Sequence, residues 1–234
     1  FFDDSIAYQL SNEFPDFNSD IFNGKYQNQI EYKQTCNIWD RFPKLTYSVF
    51  SYLNSREFLN LLSEVTGILN LYPDHGLHGG GWHIHPNGGK LNPHLDYSLH
   101  PKLGLQRKYN LLVYLNPNWK SGWGGELGLW SKDSFTDSPG ELKEVIEPIF
   151  NRAVFFDTTM DSWHGLLNPV NSPDNECRKS IALYYLTDPP VDVDPRGRAL
   201  FAPTDSQKND QDILDLIKRR SIVSDKDPNT WSRN

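Results

Sequence analysis

Hydrophobic positions along this chain change their period once, near residue 79. Before that point the spacing is helical. Ile6, Leu10 and Phe14 recur at i, i+4 and i+8 behind Asp3 or Asp4 as N-cap, which predicts a first helix over Asp4–Phe14. Residues 15–45 mix aromatics with Asn, Asp and Gln in no clear period and read as loop with short elements. Ser55–Leu69 carries the strongest helical pattern. Ser55 can cap it, Phe58, Leu62, Val65 and Leu69 share one face, and Gly67 falls only near its end.

From Gly79 onward the period is that of strands. Trp82–His85 and Leu91–Tyr97 flank a turn at Pro86-Asn87-Gly88-Gly89. Tyr109–Asn116 (YNLLVYLN) is almost continuously apolar, as a strand covered on both faces is. Gly125–Trp130, Ala153–Asp157 and Lys179–Thr187 follow, and the polar stretch Ser131–Glu147 reads as a surface excursion. Short strands separated by turns predict a sandwich or barrel rather than alternating α/β units. Beyond Asp188-Pro189-Pro190, Gln211–Arg220 reads as a terminal helix with Ile213, Leu216 and Ile217 on one face and Asn209 or Asp210 as cap. The last dozen residues read as frayed.

Composition narrows the classes. A chain of 234 residues is long enough for a real core, and its 16 Gly and 16 Pro suit a β-rich fold with many turns. The net charge of -7 argues against a nucleic-acid surface built on phosphate contacts, and it means that an anionic cosubstrate must be met by a local cation. Cys36 and Cys177 have no metal-site spacing; one disulfide between them is open, but they read rather as buried free thiols in a reducing, cytoplasmic setting. No apolar run approaches the roughly 20 residues that span a bilayer, so no membrane partner is expected. No signal peptide is visible. The chain opens Phe1-Phe2-Asp3-Asp4 without Met, as a trimmed or processed product would.

Candidate chemistry gathers at the end of GGGWHIHPNGGKLNPHLD, residues 79–96. His94 and Asp96 are separated by one residue, and in an extended strand such a pair projects from one face. Downstream stand His164 in DSWHGLLNP and Arg178 at the head of RKSIALYYL. Two imidazoles and one carboxylate that leave coordination positions open form the facial arrangement expected of non-haem Fe(II) oxygenases. An Arg suits the second carboxylate of a 2-oxo dicarboxylic acid, because its planar fork matches a carboxylate bidentately. Ser180 faces the same way as Arg178.

Blander readings stand beside these. His164 can be a turn-associated His beside Trp163, Tyr114 a core Tyr, and Ser180 a plain strand Ser. His83 and His85 are rival donors on one strand face; His83 reads as a structural strand His. His75 and His78, in a Gly-rich loop, read as solvated. His100 and Arg107 either line the mouth of the site or sit on the surface. Trp82, Trp123 and Tyr184 are candidates for a substrate wall, or core. Gly79-Gly80-Gly81 lacks the Lys-Ser/Thr and the helix of a phosphate loop.

Taken in order, His94-x-Asp96, YLNPNW at 114–119, GGELGLW at 124–130, His164 and Arg178-x-Ser180 resemble the 2-oxoglutarate/Fe(II)-dependent dioxygenases, most of all their prolyl 4-hydroxylase-like branch. The resemblance covers about residues 80–187. It implies a mainly β fold with flanking α: a double-stranded β-helix, or jelly roll, with N-terminal helices packed on it and a short C-terminal helix. One dioxygenase domain would then comprise a helical support (1–78), the β-helix core (79–188) and a C-terminal extension (189–234). It further implies Fe(II) held by His94, Asp96 and His164, and 2-oxoglutarate held by Arg178 with Tyr114 and Ser180. His85 would be a contact near the iron, and ascorbate the reductant. A carboxylate at 96 distinguishes the chain from related halogenating enzymes.

The implied reaction is hydroxylation of an unactivated C–H bond of a prolyl or other peptidyl residue, with release of succinate and CO2. A free amino acid, a sugar or a glycan stays open as substrate. So does a non-catalytic jelly-roll binding protein that keeps a metal, although such a protein has no need of Arg178.

Overall fold

The computed structural model describes residues 1–159 and 161–222; the frayed tail expected at the C-terminus lies outside them. Helix α1 (Asp4–Glu13) begins where Asp3 accepts the backbone N–H of Ser5, and it buries Ala7, Leu10 and Ser11. Helix α2 (Lys44–Leu53) buries Thr46, Phe50 and Leu53, a helical spacing among aromatics that no cap residue advertises, since Pro43 stands at its N-cap. Thr46 donates from its backbone and its hydroxyl to Glu13, which ties α2 to α1. Helix α3 (Arg56–Thr66) is capped by Ser55 and ends at Gly67, whose φ of 73° few other residues adopt. The glycine stops the helix a turn earlier than its apolar stripe suggests. Phe58, Leu59 and Leu62 are buried, while Val65 and Leu69 are 73% and 87% exposed.

The stretch read as loop holds two strands, β1 (Gly24–Gln27) and β2 (Glu31–Cys36). Polar residues occupy both faces of β2, so no alternation of apolar and polar marks it. There follow β3 (Tyr72–Pro73), β4 (Gly81–His85), β5 (Lys90–Leu91), β6 (His94–Leu95), β7 (Gln106–Tyr114), β8 (Leu127–Lys132), β9 (Pro139–Ile146), β10 (Ala153–Asp157), β11 (Trp163–Leu166), β12 (Arg178–Thr187), β13 (Leu200–Phe201) and helix α4 (Gln211–Ser221). The single strand expected over Leu91–Tyr97 is split at Asn92-Pro93, where the chain passes from β5 beside β2 to β6 in the other sheet. Proline lacks the N–H that an unbroken ladder would need. The supposed excursion after residue 131 contains β9, an edge strand against β8. Its polarity is that of a solvent-facing edge.

Two antiparallel sheets result. One runs β1-β2-β4-β12-β7-β10, with β3 beside β12 and β5 beside β2; the other runs β13-β6-β11-β8-β9. Between β4 and β12 the chain passes back and forth between the sheets, which is the winding of a double-stranded β-helix. The first sheet has two unlike faces. Its outer face carries Trp82, Ile84, Leu111, Val113, Ile181 and Leu183 against the N-terminal helices. Trp82 sits between Phe14 and Phe42, each ring 5.1 Å away, so it is core and no part of a substrate wall. Its inner face is polar. At Gly81, with φ of 92°, a Cβ would lie 2.0 Å from the Cys36 carbonyl, so β2 and β4 approach as closely as they do only because Gly is there.

Cys36 and Cys177 are unbonded, the first buried and the second half-buried. Helix α4 is capped by Asp210 and buries Ile213 and Leu216 as expected. No helix among the described residues is long and apolar enough to cross a membrane.

Candidate active site

Strands β6 and β11 pair so that His94 lies directly opposite His164, and Asp96 follows at the end of β6. One ligand atom from each of the three comes within 4.8 Å of the others. His94 Nε2 is 3.9 Å from one Asp96 oxygen, and His164 Nε2 is 3.6 Å from the other. Each imidazole is fixed by a carbonyl two residues back: His94 Nδ1 to Asn92 O at 3.0 Å, His164 Nδ1 to Ser162 O at 2.9 Å. A carbonyl only accepts, so Nδ1 carries the hydrogen and Nε2 turns its lone pair to the centre of the group. Phe201 stacks on His94 and Phe156 stands edge-on to His164, both at 5.1 Å.

Burial, reinforced by His164, holds the His94 pKa down to about 3, so the ring is neutral and its approach to Asp96 is no ion pair. Burial alone would raise the pKa of Asp96. The Arg107 guanidinium and the two imidazoles outweigh it and hold the carboxylate at about 2. Asp96 Oδ2 is buried without a hydrogen-bond partner. Two imidazole nitrogens and an ionised, unsatisfied oxygen facing one point are a donor set suited to a divalent cation.

Arg107 is neither at the mouth nor on the surface. It is 2% exposed, its Nη1 lies 3.1 Å from Asp96 Oδ1, and its Nη2 donates to the His78 carbonyl. His100 is buried too. Its Nδ1 accepts the N–H groups of Lys102 and Leu103, so it organises a turn. His75 is exposed as expected. His78, which reads as solvated in sequence, is half-buried against the rings of Tyr97 and His100.

Arg178 opens β12 opposite His85, and Ser180 is opposite both His83 and Tyr114. The Arg178 Nε donates to Gly125 O at 2.7 Å, and Tyr114 presents its ring 4.8 Å from the guanidinium carbon. Gly125, at φ of 74°, has no Cβ to push against Arg178 Cδ, which would stand 2.8 Å from one. Burial lowers the pKa of Arg178 and raises that of Tyr114. Among the described residues no carboxylate forms a salt bridge with Arg178.

His85 is buried with both ring nitrogens unpartnered, and burial followed by the Arg178 charge holds its pKa well below the ordinary value. His83 Nε2 lies 3.1 Å from Gly79 O. Both His83 and His85 face the cavity, but neither joins the three-residue ligand group.

Both sheets line one cavity of about 250 Å³ that contains the ligand group, Arg178 and Ser180. Tyr184 lines it; Trp123 does not, and packs on Trp119 instead. Glu31, Lys33, Phe201 and Arg220 also line it, none of them singled out by the sequence. The only signal for the first two is that they are odd-numbered positions of one strand.

Residues 80–186 match the family model described as the 2OG-Fe(II) oxygenase superfamily. Over 106 residues the chain is 30% identical to the prolyl 3-hydroxylase OGFOD1 of Xenopus laevis, a match covering 43% of this chain and 20% of that protein. The chain thus spans about a fifth of the length of that curated relative. Among solved structures, a Pseudomonas putida prolyl-4-hydroxylase superposes with a TM-score of 0.51 at 17% identity, covering 80% of this chain and 89% of that one. A Trichoplax adhaerens prolyl hydroxylase, solved with a hypoxia inducible factor oxygen degradation domain peptide fragment, also gives 0.51, at 22% identity, covering 78% and 76%. At these identities the likeness is one of fold: a prolyl-hydroxylase-like jelly roll.

Proposed function

We propose that the chain, whose residues 80–186 match the model of the 2OG-Fe(II) oxygenase superfamily, is a 2-oxoglutarate- and Fe(II)-dependent hydroxylase. One observation carries the proposal. The His94–Asp96–His164 group shares a cavity with Arg178, a buried guanidinium without a carboxylate partner among the described residues. A metal kept only for structure would need no such cation.

In this reading His94 and His164 offer Nε2 and Asp96 offers its unsatisfied oxygen, and three positions of the ion stay open. The bound Fe(II) would supply the oxidising chemistry that places a hydroxyl on an unactivated C–H bond. Arg178 takes the distal carboxylate of 2-oxoglutarate, and Tyr114 and Ser180 give it hydroxyl hydrogen bonds. His85 stays uncharged beside Arg178, so it contacts the cosubstrate without repelling the cation. Phe156 and Phe201 exclude water from the ligand group. That β2 lies in one sheet and β13 in the other supports reading the described chain as one dioxygenase domain with its N- and C-terminal segments built into the site.

The substrate proposed is a prolyl or other peptidyl residue, supported by the prolyl hydroxylases the chain resembles, with succinate and CO2 as co-products and ascorbate as reductant. Unpaired Cys36 and Cys177 suit a reducing compartment, and we place the chain in the cytoplasm on that ground. The test supplies Fe(II), ascorbate, O2 and 2-oxoglutarate with prolyl peptides, free amino acids and glycans. Succinate formed in step with a hydroxylated product is the expected result. No succinate with any of them would favour the metal-containing binding protein.

A further inference from the structure

We propose that Lys33, backed by Glu31 and Arg220, is a carboxylate-binding subsite on the substrate side of the cavity, so that the molecule hydroxylated presents an acidic group there. This rests on the reading of the site as 2-oxoglutarate-dependent.

The backbone puts Lys33 in place. On β2 the odd positions Glu31, Lys33 and Thr35 line the cavity, while Cys36 on the other face belongs to the core behind the sheet. Gln34 pairs with Ile84, so Lys33 comes beside His85, and His85 pairs with Arg178. Lys33, His85 and Arg178 therefore form a row across three adjacent strands. Two strand spacings separate the backbones of Lys33 and Arg178 by roughly 10 Å. That is too far for both to grip one carboxylate and close enough for both to line one floor. The Lys33 charge adds to burial in holding down the pKa of His83, which lines the same cavity.

The charges do not balance. Among the described residues six charged side chains line the cavity: Glu31 and Asp96 against Lys33, Arg107, Arg178 and Arg220. In a chain of net charge -7, the described residues thus set four cations against two carboxylates here. Asp96 pairs with Arg107, and the cosubstrate is assigned to Arg178. Glu31 pairs closely with Arg220 from the last turn of α4, which leaves Lys33 Nζ 3.8 Å from the other Glu31 oxygen, beyond a hydrogen bond. Among the described residues, the Lys33 ammonium has a charge held in the cavity and hydrogen bonds still to give. A carboxylate on the substrate is the group that satisfies it. Glu31, Lys33 and Arg220 all lie outside residues 80–186, so the selecting group comes from segments that flank the family core.

Two sources could bring that carboxylate, an acidic side chain in a peptide or the free carboxylate of a small amino acid, and the experiment separates them. Protein loaded with Zn(II), which has no redox chemistry, and 2-oxoglutarate is titrated calorimetrically with four probes. These are N-acetyl-prolyl-glutamate amide against its glutamine analogue, and L-proline against L-prolinamide. One acidic probe should bind more tightly than its neutral partner. Lys33→Met should weaken that probe about 10- to 100-fold, the loss of a hydrogen bond to a charged group. Lys33→Arg should keep the preference. In both variants, 2-oxoglutarate affinity unchanged from wild type shows that the fold is intact and that Lys33 does not serve the cosubstrate. The inference is overturned if neither acidic probe outbinds its partner, if Lys33→Met leaves the preference standing, or if Lys33→Met weakens 2-oxoglutarate as Arg178→Ala does. Failure of the wild type to bind 2-oxoglutarate at all would instead overturn the oxygenase reading itself.

Discussion

Arg107 holds Asp96 from a clamp: its guanidinium carbon lies 3.4 Å from the ring centroids of both Tyr97 and Tyr184, and its Nη1 is 3.1 Å from Asp96 Oδ1. One oxygen of Asp96 is thereby occupied and the other left for an ion. Arg107→Met keeps most of the bulk but breaks a buried ion pair, at a cost of about 3–5 kcal/mol. For a domain of this size that lowers the melting temperature by roughly 6–20 °C. With Arg107 gone, Asp96 would be freer to turn on an ion, so the variant is expected to keep metal but bind 2-oxoglutarate more weakly. Calorimetric melting and a 2-oxoglutarate titration of the metal-loaded variant check the two effects separately.

Arg178 should separate cosubstrate binding from metal binding. Arg178→Ala removes one partner of a buried pair, and about 3–5 kcal/mol corresponds to a hundred- to a few-thousand-fold loss of 2-oxoglutarate affinity. Arg178→Lys should recover part of it, since the charge returns without the fork. Tyr114→Phe should cost less, about 0.5–3 kcal/mol. Gly125→Ala should mimic a weak form of the Arg178 loss, because its Cβ displaces Arg178 Cδ. An anaerobic titration of the Fe(II) protein, followed at the chelate absorption band, reads all four. Affinity for 2-oxoglutarate unchanged in Arg178→Ala would move the cosubstrate site elsewhere.

The ion itself should depend on His94, Asp96 and His164 and on neither neighbouring histidine. His83→Ala and His85→Ala are expected to retain close to one equivalent of metal, while Asp96→Ala loses both metal and hydroxylation. Elemental analysis of the purified variants decides it, and loss of metal from either histidine variant would redraw the ligand set.

Acid should unfold the protein partly through His85. Its folded pKa lies well below 6.5, so the native ring refuses a proton that the unfolded chain accepts. That contribution to stability is complete above about pH 6.5 and is lost progressively as the pH falls below it, by up to about 1.4 kcal/mol per pH unit for each such group. His85→Gln should flatten the decline of the melting temperature between about pH 6.5 and 5. An unchanged slope would mean that the ring is not shielded in the folded protein.

That His94, Asp96, His164 and Arg178 meet at one cavity was legible in sequence because such chemistry is confined to a few residue types at fixed spacings. The architecture was legible where one face of an element is apolar, as in α1, α3, β7 and β12. It was illegible where both faces are polar. Strand β2 buries Gln34 and Cys36 on one side and aims Glu31 and Lys33 at the cavity on the other, so a strand central to the site read as loop. Arg107 stayed ambiguous for a related reason. A cation in sequence looks solvated, and only the fold brings Tyr97, Tyr184 and Asp96 around it.

The direct pairing of His94 with His164 sets an order of events during biosynthesis. A growing chain that has emerged through β8 carries one imidazole and one carboxylate of the group, and neither β11 nor β12 yet exists to complete it. An ion therefore cannot template the early collapse, as it does in domains that fold around their metal. An ion would be recruited by a nearly finished molecule, after the distant strands have closed the cavity. An ion bound by the group would thus be held only where Phe156, Phe201 and the Arg107 clamp already surround it.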